Sequence, residues 1–269
     1  MKLIEPKYNI VMLENCGAEL SGMIEFYMHE ISRACGREKK WMVEEFIGQL
    51  NRILFQIIFT LAIIKDDYPG FLHGDFFVRN ILLSYELPME KGELKEGWYT
   101  TSDYVAYHYK QKIFYLEANG PYAKINDFGL SVIVNELEPS TYQFDKMLHS
   151  VNHKNPFNQK TDIFNLLHDI YDGQNLGTYS INKWAVELKI PVHIIKPIKS
   201  FIEKFLDVNV IDKININNSP LLDDTWDIDG IRLLEDIVLA PDRYLTKEYF
   251  SAFQEYPRGG RIVRRFNQF

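Results

Sequence analysis

Residues 73–83 read His-Gly-Asp-Phe-Phe-Val-Arg-Asn-Ile-Leu-Leu. An ionisable acid, Asp75, is followed five residues later by an amide, Asn80, and then by an apolar run. Asp and Asn at this spacing can reach one small site from the two ends of a tight loop. The carboxylate can accept a proton from an attacking hydroxyl. The amide oxygen can serve a hard cation such as Mg²⁺. Ile81-Leu82-Leu83 predicts a short buried strand leaving the loop. Further on, Lys124-Ile125-Asn126-Asp127-Phe128-Gly129-Leu130-Ser131 sets another carboxylate, Asp127, just after a strand-like run.

The elements that must hold these groups follow from apolar spacing. Met23, Ile24, Tyr27 and Ile31 predict a helix over residues 20–34. Residues 40–65 carry a wide apolar face (Phe46, Ile47, Leu50, Ile53, Leu54, Ile57, Ile58, Leu61) and predict a long helix. Pro69-Gly70 breaks it ahead of the loop. Residues 8–13 predict a buried strand. Residues 88–96 are polar and Gly-punctuated and predict an exposed loop. Residues 104–116 predict a β-hairpin turning at Lys110-Gln111-Lys112. Ile163, Leu166, Leu167, Ile170 and Tyr171 predict a buried helix with Asp162 at its start, where a carboxylate also caps the N-terminus. One or two helices over 184–206, broken around Pro191 and Pro197, a surface loop over 208–227, and short helices over 229–238 and 246–253 complete the chain. Arg258, Arg261, Arg264 and Arg265 form a basic tail, read as solvated or as a docking site for an acidic partner.

Composition bounds the answer. A chain of 269 residues suits one large domain or two small ones. With 46% hydrophobic and 25% charged residues it has the makings of an ordinary core. A net charge of −7 and a pI near 5.6 argue against broad nucleic-acid binding. The two cysteines, Cys16 and Cys35, have no metal-ligand spacing and read as free thiols in a reducing compartment. The start shows no signal peptide. The most apolar window, residues 53–64, is interrupted by Gln56 and Thr60 and is shorter than the roughly 18 residues that suggest a membrane span.

Taken together, these segments resemble the protein-kinase superfamily. Residues 73–80 resemble its catalytic loop H-R-D-x-x-x-x-N in an H-G-D form, which also occurs in aminoglycoside-type phosphotransferases. Asp127-Phe128-Gly129 resembles its metal-binding D-F-G segment. The resemblance implies a mainly α (α+β) fold: a protein-kinase-like large lobe with a short hinge strand and an inserted β-hairpin. It implies a single domain over 1–269, with 1–17 as the last small-lobe strand and hinge and 18–269 as the large lobe. An insertion of this kind looks like divergent eukaryote-like kinases such as haspin and the kinase-like proteins of large DNA viruses.

The implied activity is Ser/Thr-type phosphorylation of a protein substrate with ATP and Mg²⁺, in the cytoplasm (host cytoplasm or virion if viral), without nucleic acid or membrane. Asp75, His73 and Asn80 would form the catalytic set, and Asn80 and Asp127 would hold the metal. Met12, Leu13, Glu14, Asn15 and Leu82 would contact the nucleotide. Phe128 would pack inside, and Gly129 would adopt an unusual backbone angle. Asp162 would accept hydrogen bonds from the loop backbone near His73 and Gly74.

The sequence also departs from the pattern. It has no G-x-G-x-x-G, no strand Lys and no A-P-E, so a small lobe would come from another polypeptide or from upstream sequence. Gly74 replaces the Arg of H-R-D, and Phe77 stands where a phosphate-facing Lys is common. An enzyme and a kinase-like interaction scaffold without turnover both remain open. A small-molecule kinase, resting on Gly74, is a third reading.

Overall fold

A computed structural model describes residues 17–84, 103–133, 159–171, 180–206 and 239–267. The hinge residues 12–15, and the features expected over 8–13, 88–96, 208–227 and 229–238, lie outside this set.

Strand β1 (Ala18–Glu19) runs straight into helix α1 (Leu20–Arg33). Met23, Ile24 and Ile31 are buried and Tyr27 is half-buried, as their helical spacing predicts. Helix α2 (Gly36–Asp67) starts earlier than its apolar pattern suggests and stops just before Pro69-Gly70. It is the spine of the molecule, packing against α1, a later strand and three later helices. By length and composition this 32-residue helix could cross a membrane, so the apolar stretch is longer than the 53–64 window suggested. Its apolar face (Phe46, Leu50, Ile53, Leu54, Ile57, Ile58, Leu61) is instead filled by the protein's own core.

After α2 come β2 (Phe71–Leu72), a 3-10 turn at Val78–Asn80, and β3 (Ile81–Ser84). The hairpin β4 (Asp103–Tyr109) and β5 (Lys112–Glu117) pairs antiparallel. Its turn is narrower than predicted. Lys110-Gln111 makes it, with Lys110 at φ 52, and Lys112 belongs to the strand. Next are β6 (Tyr122–Ile125) and β7 (Val132–Ile133). Helices α3 (Gln159–Tyr171), α4 (Ile181–Glu187), α5 (Val192–Ile202) and α6 (Pro241–Thr246) follow, then a 3-10 segment, Glu248–Phe253. The chain closes on β8 (Arg261–Asn267).

The strands form three small sheets ordered β1-β3-β6, β2-β7 and β5-β4-β8. The architecture is α+β. In the first sheet Leu82 faces Glu19 on one side and Lys124 on the other. Ile81 and Leu83 point into the core, and Leu82 on the opposite face is only half-buried.

Two expectations need correction. Pro191 does break the 184–206 segment, as the N-cap of α5, but Pro197 lies inside that helix. An interior proline costs about 3 kcal/mol. Burial of Ile195, Ile198, Phe201 and Ile202 offsets this at roughly 1.5–3 kcal/mol each. The arginine tail is not a free solvated segment. β8 pairs parallel with β4, and Arg261 Nε donates to the buried carboxylate of Asp103 at 2.8 Å.

Behind the hairpin lies an aromatic cluster. Phe55 of α2, fully buried, touches the rings of Phe59, Tyr107, Phe114, Phe250 and Phe253. The sheet and the 3-10 segment thus clamp α2 from behind. α2 then delivers β2 and the loop that follows.

Candidate active site

The loop from His73 to Asn80 is fixed first by apolar side chains. Phe76, Val78 and Ile81 are fully buried, so the loop is pinned to the core and its polar atoms are left to point outward or find partners. Gly74 takes φ 81, a left-handed angle that glycine adopts without a Cβ penalty.

Asp75 faces the open side, with its side chain 18% exposed. Arg79 Nη2 pairs with Oδ1, and Asn80 Nδ2 donates to Oδ2 at 2.8 Å and to the Asp75 carbonyl at 2.7 Å. Each carboxylate oxygen has a second lone pair, so Asp75 can still accept from an incoming hydroxyl. The Arg79 guanidinium also lies 4.8 Å from the centre of the Phe77 ring. With Nδ2 committed to Asp75, the atom Asn80 can offer a cation is Oδ1.

Asp127 is brought alongside by backbone. Asn126 N–H donates to the Asn80 carbonyl at 2.9 Å, extending the β3–β6 pairing to the residue before Asp127. His73 ties the same two segments together: its Nε2 donates to the Asn126 carbonyl at 2.9 Å, and its own carbonyl accepts from Ser131 Oγ at 3.1 Å. Burial holds the His73 imidazole below its usual pKa and so neutral, against the pull of Asn126, Asp75 and Asp127. His73 is fully buried and braces the loop, with no ring atom at the open side.

The D-F-G segment differs from expectation in two ways. The left-handed angle falls on Asp127, at φ 60, and not on Gly129. Asp tolerates that region because its short carboxylate can bond locally, and here Oδ1 accepts from Gly129 N–H at 3.4 Å. Phe128 is 51% exposed, resting against His73 and Phe71, and does not pack inside. The buried aromatic beneath the loop is Phe76, 5.1 Å from the His73 ring.

Asp162 sits in the first turn of α3, fully buried. Its Oδ2 accepts from His73 N–H at 2.8 Å and its Oδ1 from Gly74 N–H at 3.2 Å. Burial pushes its carboxyl up to about 7, against the two amide bonds that lower it. A second acid on α3 was not singled out from sequence: Asp169, 3% exposed, accepts from Val78 N–H at 2.9 Å. The available signal was a charged residue on the apolar face of a helix, a position that burial makes costly unless it is partnered.

The structure therefore gathers His73, Asp75, Asn80 and Asp127 at one place, with Leu82 on the half-buried face of the adjoining sheet. The Asn80 amide oxygen and the Asp127 carboxylate are hard donors suited to Mg²⁺. Among the described residues no group of three His, Cys, Asp or Glu converges as a metal cage. A cation here would need further oxygens, such as those of phosphates and water.

No family model matches the chain, and no solved structure matches it. Over 266 residues, 99% of the chain, it is 46% identical to a protein of Acanthamoeba polyphaga mimivirus named "Putative serine/threonine-protein kinase R301". The chain spans 62% of that protein's length. It is also 30% identical over 117 residues to "Putative serine/threonine-protein kinase R400" of the same virus, a match covering 43% of this chain and 23% of that protein. Both proteins that the chain resembles are thus named as serine/threonine-protein kinases.

Proposed function

We propose that this chain carries the catalytic face of an ATP-dependent, Ser/Thr-type protein kinase. In this reading Asp75 orients the acceptor hydroxyl and takes its proton as the oxygen bonds to the γ-phosphorus, and ADP leaves. Asn80 and Asp127 hold Mg²⁺, which neutralises phosphate charge when bound. Catalysis of this kind is mostly positioning and charge stabilisation, so it needs these groups held rigidly and does not need a covalent intermediate. Leu82 and the residues Met12, Leu13, Glu14 and Asn15 are the proposed contacts of the adenine ring. The protein acceptor and a polypeptide supplying phosphate-covering elements are parts of the same proposal.

The observation that carries the reading is the paired tether on Asn126. One backbone bond to Asn80 and one side-chain bond from His73 lock the Asp127 segment to the Asp75 loop. The meeting of the two motifs at one site supports the reading. The test is transfer of label from γ-³²P-ATP with Mg²⁺ to candidate protein acceptors, comparing wild type with Asp127→Ala. Label that depends on Asp127 supports the proposal. Equal, background incorporation by both proteins, also with small-lobe polypeptides added, refutes it.

A further inference from the structure

Building on the phosphotransferase reading above, we propose that Asp169 is a positioning residue that fixes the turn presenting Arg79 and Asn80 to Asp75. Asp162 and Asp169 are seven residues apart on α3, about two turns, so both carboxylates leave the same face of the helix. They grip the loop at its two ends: Asp162 takes the amides of His73 and Gly74, and Asp169 takes that of Val78.

Val78 is the first residue of the 3-10 turn Val78–Asn80, so its N–H has no acceptor within the turn. The residue is fully buried. Without Asp169 that amide would be a buried donor in need of an acceptor, and the turn would distort to find one. The next two residues are the ones that reach Asp75: Arg79 on Oδ1 and Asn80 on Oδ2. The Asn80 carbonyl is also the acceptor that aligns Asn126 beside Asp127. A shift at Val78 therefore displaces both partners of Asp75 and one cation donor together. An acid serving only to stabilise α3 would have no such linkage.

The full chain tests this with Asp169→Ala, Val78→Pro and the double variant. Proline removes the N–H that needs Asp169. The position admits it, because Phe77 is extended (φ −122, ψ 167) and Val78 is the first residue of the turn. Asp169→Ala should speed hydrogen exchange at the Val78, Arg79 and Asn80 amides by roughly tenfold or more while distant core amides keep their protection. It should lower kcat by roughly tenfold or more, with KM for the protein acceptor unchanged within about twofold. The double variant, with neither carboxylate nor N–H, should recover kcat to within about threefold of wild type. Wild-type exchange in Asp169→Ala, or a kcat loss that Val78→Pro does not recover, overturns the proposal. If wild type transfers no phosphoryl group to any acceptor, the phosphotransferase reading fails, and the exchange result alone decides whether Asp169 holds the turn.

Discussion

Replacing Asp162 should separate its hydrogen bonds from its charge. Asp162→Ala leaves the amides of His73 and Gly74 without their acceptor, at a cost of about 2–4 kcal/mol. Asp162→Asn keeps one oxygen but turns an NH₂ toward the second amide, so it strands one donor and should cost about 1–2 kcal/mol. The pH dependence is the sharper readout. Burial raises the folded-state pKa from 3.8 to about 7, while the amide bonds from His73 and Gly74 oppose it. Between these values the folded protein keeps a proton that the unfolded chain has released. The contribution to stability is complete below the unfolded pKa and is lost as pH rises through the folded one. Between about pH 5 and 8 wild type should lose roughly 3 kcal/mol relative to Asp162→Asn, two pKa units at about 1.4 kcal/mol each. Buried His73 titrates in the opposite sense, weakening the fold as pH falls below its unfolded value, but it is common to all three proteins and cancels in the comparison. Urea unfolding of the three proteins across this range is the assay. Near pH 5, where the Asp162 contribution is largest within this range, Asp162→Ala within about 1 kcal/mol of wild type would refute the reasoning, as would Asn and wild-type profiles that run parallel across the range.

Gly17 lies at φ +79, and a Cβ there would sit 2.4 Å from the Leu83 carbonyl oxygen, so Gly17→Ala should force β1 off β3 and cost about 2 kcal/mol or more. An unchanged midpoint in thermal unfolding would contradict that. Phe55→Ala should cost about 3–5 kcal/mol, because its ring joins α2 to the hairpin and to the 3-10 segment. A loss below about 1 kcal/mol would show that the cluster refills the space.

Local signals in the sequence account for much of the site. Asp75, Asn80 and Asp127 stand out in the sequence by the spacing of two motifs, and the apolar residues Phe76, Val78 and Ile81, which go inward, account for the loop that carries the first two. Asp162 was legible for a related reason: a carboxylate at the start of a strongly apolar helix is drawn into the core and must find donors. β8 was not legible. Its partner β4 is distant in the chain, its register shifts between Tyr104 and Val105, and Ile262, Val263 and Phe266 stand among arginines without the period-two apolar alternation that marks a strand. Phe128 is exposed because Phe76, on the neighbouring 73–80 loop, takes the buried place under His73. Pro197 reads as a break on propensity alone, and the burial of Ile195, Ile198, Phe201 and Ile202 on the opposite face of its helix overrides it.

The charge beside Asp75 shows how turn geometry can supply what a motif lacks. Phe77, two residues on, brings no cation. In a helical turn, however, the residue that comes back over position i is i+4, and here that is Arg79. The 3-10 turn at Val78–Asn80 brings its side chain onto Asp75 Oδ1, and the Phe77 ring supports the guanidinium from beneath. The aromatic side chain thus steadies a cation that arrives from further along the loop. Arg79 is about one-third exposed, so the pair lies at the open side of the site. Only one of its five N–H donors needs to serve Asp75, and the others can meet an anionic group brought to the same carboxylate. The position of that positive charge depends on the turn, and the turn depends on the amide of Val78 and the carboxylate of Asp169.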